Sequence, residues 1–234
     1  MLRARGLVVA YPDGTRAVDG LSLHVAQGES LGLVGANGAG KTSLMLAVAG
    51  VLPVAAGELE VGGIALEKRT RDEVRRRVGL VFQNPDDQLF MPTLYDDIAF
   101  GPRNDGLSDD EVSRRVEGAL GALGIAHLAK SAAPRLSGGE KRLAAIATVL
   151  SMDPKLLLFD EPTAFLDLRA RRKLIGLLNA LPQAKLIASH DLPFLEEVCG
   201  RAVLMAKGRV LAEGRAKDLF GDRRLMEEGE PEGL

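Results

Sequence analysis

Gly35, Ala36, Asn37, Gly38, Ala39, Gly40, Lys41 and Thr42 carry the spacing G-x-x-x-x-G-K-[ST] in full, with Ser43 directly after. Glycines at this spacing let successive backbone N–H groups turn inward toward phosphate oxygens, and a helix starting just beyond them adds its positive end. Lys41 would then reach the β and γ phosphates of a nucleotide, and the Thr42 hydroxyl would ligate Mg²⁺. A glycine-rich turn could match by accident. Here, though, the run lies between a predicted buried strand, SLGLVG (30–35), and the helical KTSLMLAVAG (41–50), which is the context the pattern requires. A second pair of candidates, Asp160 and Glu161, closes the apolar run LLLF (156–159). Ligands of open α/β sheets sit at the carboxyl ends of strands, so both carboxylates are expected to face the phosphate site. Asp160 would hold Mg²⁺, mostly through its waters, and Glu161 would polarise a water for in-line attack on the γ phosphorus. Taken alone, the pair could equally be surface acids in a strand-end turn.

The elements that must position these groups alternate along the chain. Short β patterns, LVVA (7–10) and LSLHV (21–25), flank the turn PDG (12–14), and GELEV (57–61) runs into Gly62-Gly63. VGLVF (78–82) reads, like SLGLVG, as a strand buried on both faces. Ser108 to Glu111 is a capping box that opens a helix ending near Gly124, and a second helix is expected from Ser137. Alternation then returns: strand 156–159, helix 167–181, strand 185–189, helix from Leu192, strand 202–206 and VLAEG (210–214). This order suggests one nucleotide-type α/β core interrupted by a helical lobe. The last residues, MEEGEPEGL (226–234), are acidic and poor in apolar side chains, so a frayed tail is expected.

Composition narrows the class. With 234 residues, 46% hydrophobic and 26% charged, the chain suits a soluble α/β protein with a sizeable core. Its apolar runs fall far short of a membrane span, so work at a membrane would need a spanning partner. The N-terminal apolar run is too short for a signal peptide. The single cysteine, Cys199, excludes an internal disulfide and suits a reducing cytosol. A net charge of −2 gives no global electrostatic case for nucleic acid as a partner. The basic cluster 68–77 reads as a solvated helix face. His24 and His127 have no ligand spacing with His190 and read as structural.

Leu136-Ser137-Gly138-Gly139-Glu140 makes the reading specific, because it resembles the signature of ATP-binding-cassette (ABC) ATPases. Tyr11, Gln83, DEPTAFLD (160–167) and SHD (189–191) follow that family's order, and the resemblance runs from about residue 3 to 220. It implies a P-loop NTPase core with an N-terminal antiparallel β subdomain and an inserted α-helical subdomain. The β subdomain and core would take 1–90 and 153–225, the helical subdomain about 91–152. The resemblance also implies roles. Tyr11 would stack on adenine, although it could be a plain hairpin-edge tyrosine. Gln83 would touch Mg²⁺ or the attacking water, and His190 the γ phosphate. Ser137, Gly138 and Gly139 would cap the γ phosphate of ATP held by a second ATPase subunit facing head to tail, a copy or a paralogue; alone, SGGE is an ordinary helix cap. Asp167 would link the two sites across the dimer, or cap the helix after it. Phe165 stands where a small residue is usual, and Leu143 where a basic one often follows the signature.

After Gln83, NPDDQLF (84–90) and TLYDDIAFGPRN (93–104) look like the ATPases of energy-coupling-factor importers, which take up cobalt, nickel or vitamins. The cobalt/nickel branch is favoured over a vitamin importer or a generic ABC importer. A soluble non-transport ABC ATPase is the different-class alternative, disfavoured by the lack of tandem cassettes, coiled-coil heptads and a basic stripe. The resemblance implies ATP hydrolysis with Mg²⁺ and a peripheral place on the cytoplasmic face of the cell membrane. Integral membrane subunits are expected to dock near Gln83–Phe90.

Overall fold

The computed structural model describes residues 1–229. Residues 230–234 of the expected acidic tail lie outside the described residues. In chain order the elements are β1 (Leu2–Ala10), β2 (Arg16–Val25), β3 (Ser30–Val34), α1 (Lys41–Val48), β4 (Val54–Val61), β5 (Ile64–Ala65), α2 (Arg71–Arg77) and β6 (Val78–Val81). There follow α3 (Leu94–Asn104), α4 (Asp109–Leu123), α5 (Gly138–Leu150), β7 (Leu156–Asp160), α6 (Leu168–Ala180) and β8 (Ala184–Ala188). The chain closes with α7 (Leu192–Val198), β9 (Arg201–Ala206), β10 (Arg209–Arg215), α8 (Ala216–Gly221) and α9 (Arg223–Gly229). Two compact units result. One comprises Met1–Leu80, Lys155–Glu161 and the chain from Pro182; the other comprises Val81–Pro154 and Pro162–Leu181.

The first unit holds two sheets. An antiparallel sheet runs in the order β2-β1-β4-β5, and a six-stranded sheet in the order β10-β9-β3-β8-β7-β6. In the larger sheet β9, β3, β8 and β7 are parallel, and β10 returns antiparallel at the edge. Strands β3, β7 and β8 are buried almost throughout, as their largely apolar sequences demand, and Lys185 and Asp160 are buried with them. Leu2, Leu7 and Leu21 of the small sheet meet Leu44 and Met45 of α1, and Leu31, Leu158 and Leu186 of the large one, in a single core. Strand β1 is longer than the sequence pattern showed. Its register shifts between Ala4 and Leu7, with Gly6 at φ 56, so inward positions pass from Leu2 and Ala4 to Leu7 and Val9. Such a bulge reverses the alternation, which is why only 7–10 read as strand.

Helices form the second unit. Ser108 caps α4, its hydroxyl accepting the Glu111 amide at 3.4 Å, and Gly124 ends the helix at φ 64. The expected capping box is only half formed, because the Glu111 carboxylate pairs with Arg114 and Arg115 instead. Helix α3, which the sequence marked only as a family motif, contains Pro102. Proline has no N–H for the Ile98 carbonyl four residues back. The buried Ser151 hydroxyl shares its proton between that carbonyl, at 2.9 Å, and the Thr148 carbonyl, at 3.0 Å, and so supports the helix from outside. Near the end of the chain, residues 226–229 belong to α9 rather than to a frayed tail, since Gly229 is buried against Leu204 of β9.

Candidate nucleotide site

Because β3, β8 and β7 are adjacent and parallel, the loops leaving their carboxyl ends emerge side by side. The loop from β3 is Gly35–Gly40, β7 ends in Asp160 and Glu161, and β8 leads into Ser189 and His190. A Cβ on Gly35 would collide with the Met205 carbonyl, and one on Gly40 with the Ala17 carbonyl; their φ values are 149° and 100°. Both positions therefore exclude a side chain twice, by space and by backbone. The Ala39 amide donates to the Ala36 carbonyl at 3.1 Å, closing the turn, while Asn37 and Gly38 form its exposed tip. Gly40 caps α1 without a side-chain bond, so the helix presents its first amides from a bare end.

Lys41 bends back over this loop, donating to the carbonyls of Gly35 at 2.5 Å and Ala36 at 2.9 Å. Burial pulls its ammonium below the ordinary lysine range, opposed by the charges of Glu161 and Asp160. The Thr42 hydroxyl donates to Asp160 Oδ2 at 2.7 Å across 118 residues of sequence. Burial pushes the Asp160 carboxyl above its usual range and Glu161 adds to this, while the Thr42 bond and Lys41 oppose it. Glu161 adopts φ 45°, a left-handed backbone that turns it out of the strand, and its amide donates to the Ala188 carbonyl at 2.9 Å. Its carboxylate then meets the His190 ring at Nδ1 (2.9 Å), the Ser189 hydroxyl (3.1 Å) and the His190 amide (3.3 Å). Ser189 is a site residue that sequence reasoning missed; the SHD run was its only signal. Tyr11 is 38% exposed, and its hydroxyl lies 3.0 Å from that of Ser43 in the first turn of α1.

Among the described residues no group of three or more His, Cys, Asp or Glu side chains could hold a metal. The Thr42 hydroxyl and Asp160 carboxylate are hard oxygen donors, and Mg²⁺ binds through one or two such protein ligands plus phosphate oxygens and waters. The donor set fits that ion.

The remaining sequence candidates belong to the second unit. Ser137 caps α5 in a full capping box: its hydroxyl accepts the Glu140 amide at 3.4 Å, and Glu140 accepts the Ser137 amide at 2.8 Å. The Ser137 hydroxyl also donates to Glu140 Oε2 at 2.7 Å, and that bond, with the one from the Ser137 amide, holds the Glu140 carboxyl below its usual range. Gly138 is exposed, and a Cβ on Gly139 would come within 3.0 Å of Ala170 Cβ in α6. Asp167 caps α6 by accepting the Ala170 amide at 2.7 Å. Phe165 is 91% exposed at φ 62°, so among the described residues its ring is left open.

Gln83 is exposed, in a loop whose polar side chains are mostly engaged. Asp86 pairs with Lys141 at 2.6 Å, and Asp87 accepts from the Asn84 amide group at 3.2 Å. Gln88 donates to the Ala145 carbonyl at 2.8 Å and the Thr148 hydroxyl at 2.7 Å. Asp97 accepts the amides of Phe90 and Met91, both at 2.9 Å. Arg142, which the sequence did not single out, is buried and donates to the carbonyls of Phe82 at 2.7 Å and Gln83 at 2.6 Å. The neighbouring Leu143 is buried and apolar, so the basic group of this turn lies one residue earlier than the family pattern places it.

Residues 18–164 match the family model described as ABC transporter. A cobalt import ATP-binding protein, CbiO, of Rhodobacter capsulatus is 45% identical, covering 98% of this chain and 84% of its own. An energy-coupling factor transporter ATP-binding protein, EcfA, of Methanothermobacter thermautotrophicus is 40% identical, covering 97% of this chain and 74% of its own. Among solved structures, cbiO1 of Clostridium perfringens, part of the ABC transporter complex cbiONQ, is 34% identical with a TM-score of 0.86. That match covers 97% of this chain and 93% of the other.

Proposed function

This chain belongs to the ABC transporter family and is an ATPase, and from that premise we propose that it powers an importer of the energy-coupling-factor type, for cobalt or nickel. ATP would close two ATPase subunits head to tail, and membrane subunits would convert closure and reopening into transport. The observation that carries the hydrolytic part is the convergence at the ends of β3, β7 and β8. There Thr42 meets Asp160, and Glu161 meets Ser189 and His190.

In this reading the 35–40 amides and Lys41 bind the β and γ phosphates, Lys41 exchanging its two loop carbonyls for phosphate oxygens. Tyr11, held beside Ser43, offers its ring to adenine. Mg²⁺ at Thr42 and Asp160 would neutralise charge on the phosphate oxygens. Glu161 takes the proton of the attacking water. The Ser189 hydroxyl and His190 amide orient its carboxylate, and the His190 ring, which pairs with Glu161 through Nδ1, would turn from it to the γ phosphate. Gln83 senses the metal or the water. Ser137, Gly138 and Gly139 cap the partner's γ phosphate, with Asp167 linking the two sites.

The importer class rests on residues 84–104 and on the two named relatives. No helix among the described residues is long and apolar enough to cross a membrane, so peripheral attachment through membrane subunits on the cytoplasmic face is part of the proposal. Phe90, 63% exposed, stands edge-on to Phe100 with ring centroids 5.1 Å apart, an apolar pair suited to a helix of such a subunit. Gln88 is better assigned to holding the loop, because its amide is engaged with α5.

Glu161→Gln tests the hydrolytic core. It should bind ATP, hydrolyse it at least ~100-fold more slowly, as expected for loss of a general base, and shift from monomer to dimer in light scattering with ATP. Near-normal turnover removes Glu161 from the role, and no shift removes the closing dimer.

A further inference from the structure

Arg142 is 1% exposed, yet among the described residues it pairs with no carboxylate. Its two terminal nitrogens donate to the backbone carbonyls of Phe82 and Gln83, and its Nε is buried without a partner. A buried guanidinium that offsets its desolvation with only two neutral carbonyls is a costly arrangement. Burial lowers its pKa to about 10, which still leaves it charged at neutral pH. A methionine of similar reach would pack there without that cost, but could not grip the loop. What the guanidinium holds is specific: the backbone of Gln83 itself, drawn against the second turn of α5.

Two further contacts fasten the same loop to the same helix, Lys141 to Asp86 and Gln88 to Ala145 and Thr148. Residues 82–88 and α5 therefore behave as one piece, whose first turn carries Ser137, Gly138 and Gly139. We infer that Arg142 is the positioning residue that fixes Gln83 to the helix bearing the SGGE segment. A displacement of that helix by the partner's nucleotide is then delivered to Gln83. The inference rests on the roles proposed above for Gln83 and the SGGE segment. It adds the physical link between them within one subunit.

The test is a double-mutant cycle in steady-state ATPase assays on the full chain: Arg142→Met, Gln83→Ala and the two together. Arg142→Met should lower kcat about tenfold or more with KM held within about twofold, the signature of a misplaced group rather than lost ATP binding. Arg142→Lys, which keeps one donor nitrogen and loses the fork, should fall between Arg142→Met and the parent. Added to Gln83→Ala, Arg142→Met should cost less than about twofold more, because its effect passes through Gln83. Losses that multiply would overturn the inference while leaving the Gln83 role intact. An unchanged kcat in Arg142→Met would overturn it as well. A parental kcat in Gln83→Ala would remove the Gln83 role itself, and the inference with it. Should Arg142→Met not fold by circular dichroism, the same cycle built on Arg142→Lys decides between these outcomes.

Discussion

Thr42 and Asp160 illustrate how one pair of side chains serves binding at the expense of stability. The carboxylate is 9% exposed and answered by a single hydroxyl at 2.7 Å, so its charged form is poorly solvated. Its folded pKa lies above the ordinary 3.8. The folded chain therefore holds that proton more tightly than the unfolded chain, and stability is lost as pH rises from about 3.8 through the folded value. The cost grows with pH over that window. Asp160→Asn should consequently raise the melting temperature of the ligand-free protein at pH 7 and leave it little changed well below pH 4. The same change should raise the Mg²⁺ concentration needed for half-maximal hydrolysis at least about tenfold, the range seen when an outer-shell partner of a metal is removed. Thermal melts at two pH values and an Mg²⁺ titration check the two halves separately. A lowered melting temperature at pH 7 would contradict the desolvation argument.

Helix α3 shows the same interplay at the level of an element. The sequence DDIAFGPRN looks unpromising for a helix, because glycine and proline adjoin in its last turns. It is helical from 94 to 104 because a side chain from another helix end replaces the missing amide: Ser151 donates to Ile98. Ser151→Ala should cost about 1–3 kcal/mol in denaturant unfolding, the range for orphaning a buried carbonyl. Pro102→Ala returns an amide donor to the helix. In that background Ser151→Ala should cost clearly less. Equal costs in both backgrounds would assign Ser151 a different role. The paired helix caps at Ser137 and Asp167, by contrast, are local devices. They were legible because serine or aspartate ahead of a helical pattern satisfies the first free amides wherever it occurs.

Over the whole molecule, the division of labour follows from where charge and apolar surface are left unspent. The basic cluster 68–77 is mostly a solvated face, with Lys68, Arg69, Arg71, Arg75 and Arg76 exposed, and two of its arginines also brace the fold. Arg75 pairs with Asp72 and donates to the Gly50 carbonyl, and Arg77 pairs with Glu73 and donates to Gly62. Phe90 and Phe100 instead leave their rings 63% and 42% exposed, which fits a surface that a second chain covers. Phe90→Asp should leave ATP hydrolysis of the isolated protein within about twofold, since the ring lies outside every group assigned to the phosphates, but abolish co-purification with the membrane subunits. Retained co-purification would move the docking surface elsewhere.

Short-range chemistry was written into the chain itself. The glycines of 35–40, the helix caps and the apolar strands are each set by sterics and hydrogen bonds within a few residues, so pattern alone located them. Strand β1 beyond its bulge and helix α3 across its proline escaped, because a register shift and a borrowed donor erase the local periodicity. The site is a different matter. Asp160 is 118 residues from Thr42, and His190 is 29 from Glu161. No spacing rule joins them. The lateral order β3-β8-β7 does, by setting three strand ends side by side. Arg142 was invisible for the same reason: nothing in a helical sequence tells a guanidinium that solvates itself in water from one that is folded in to hold two carbonyls 59 and 60 residues away. That choice depends on which surface the helix packs against, and packing is settled over the whole chain at once.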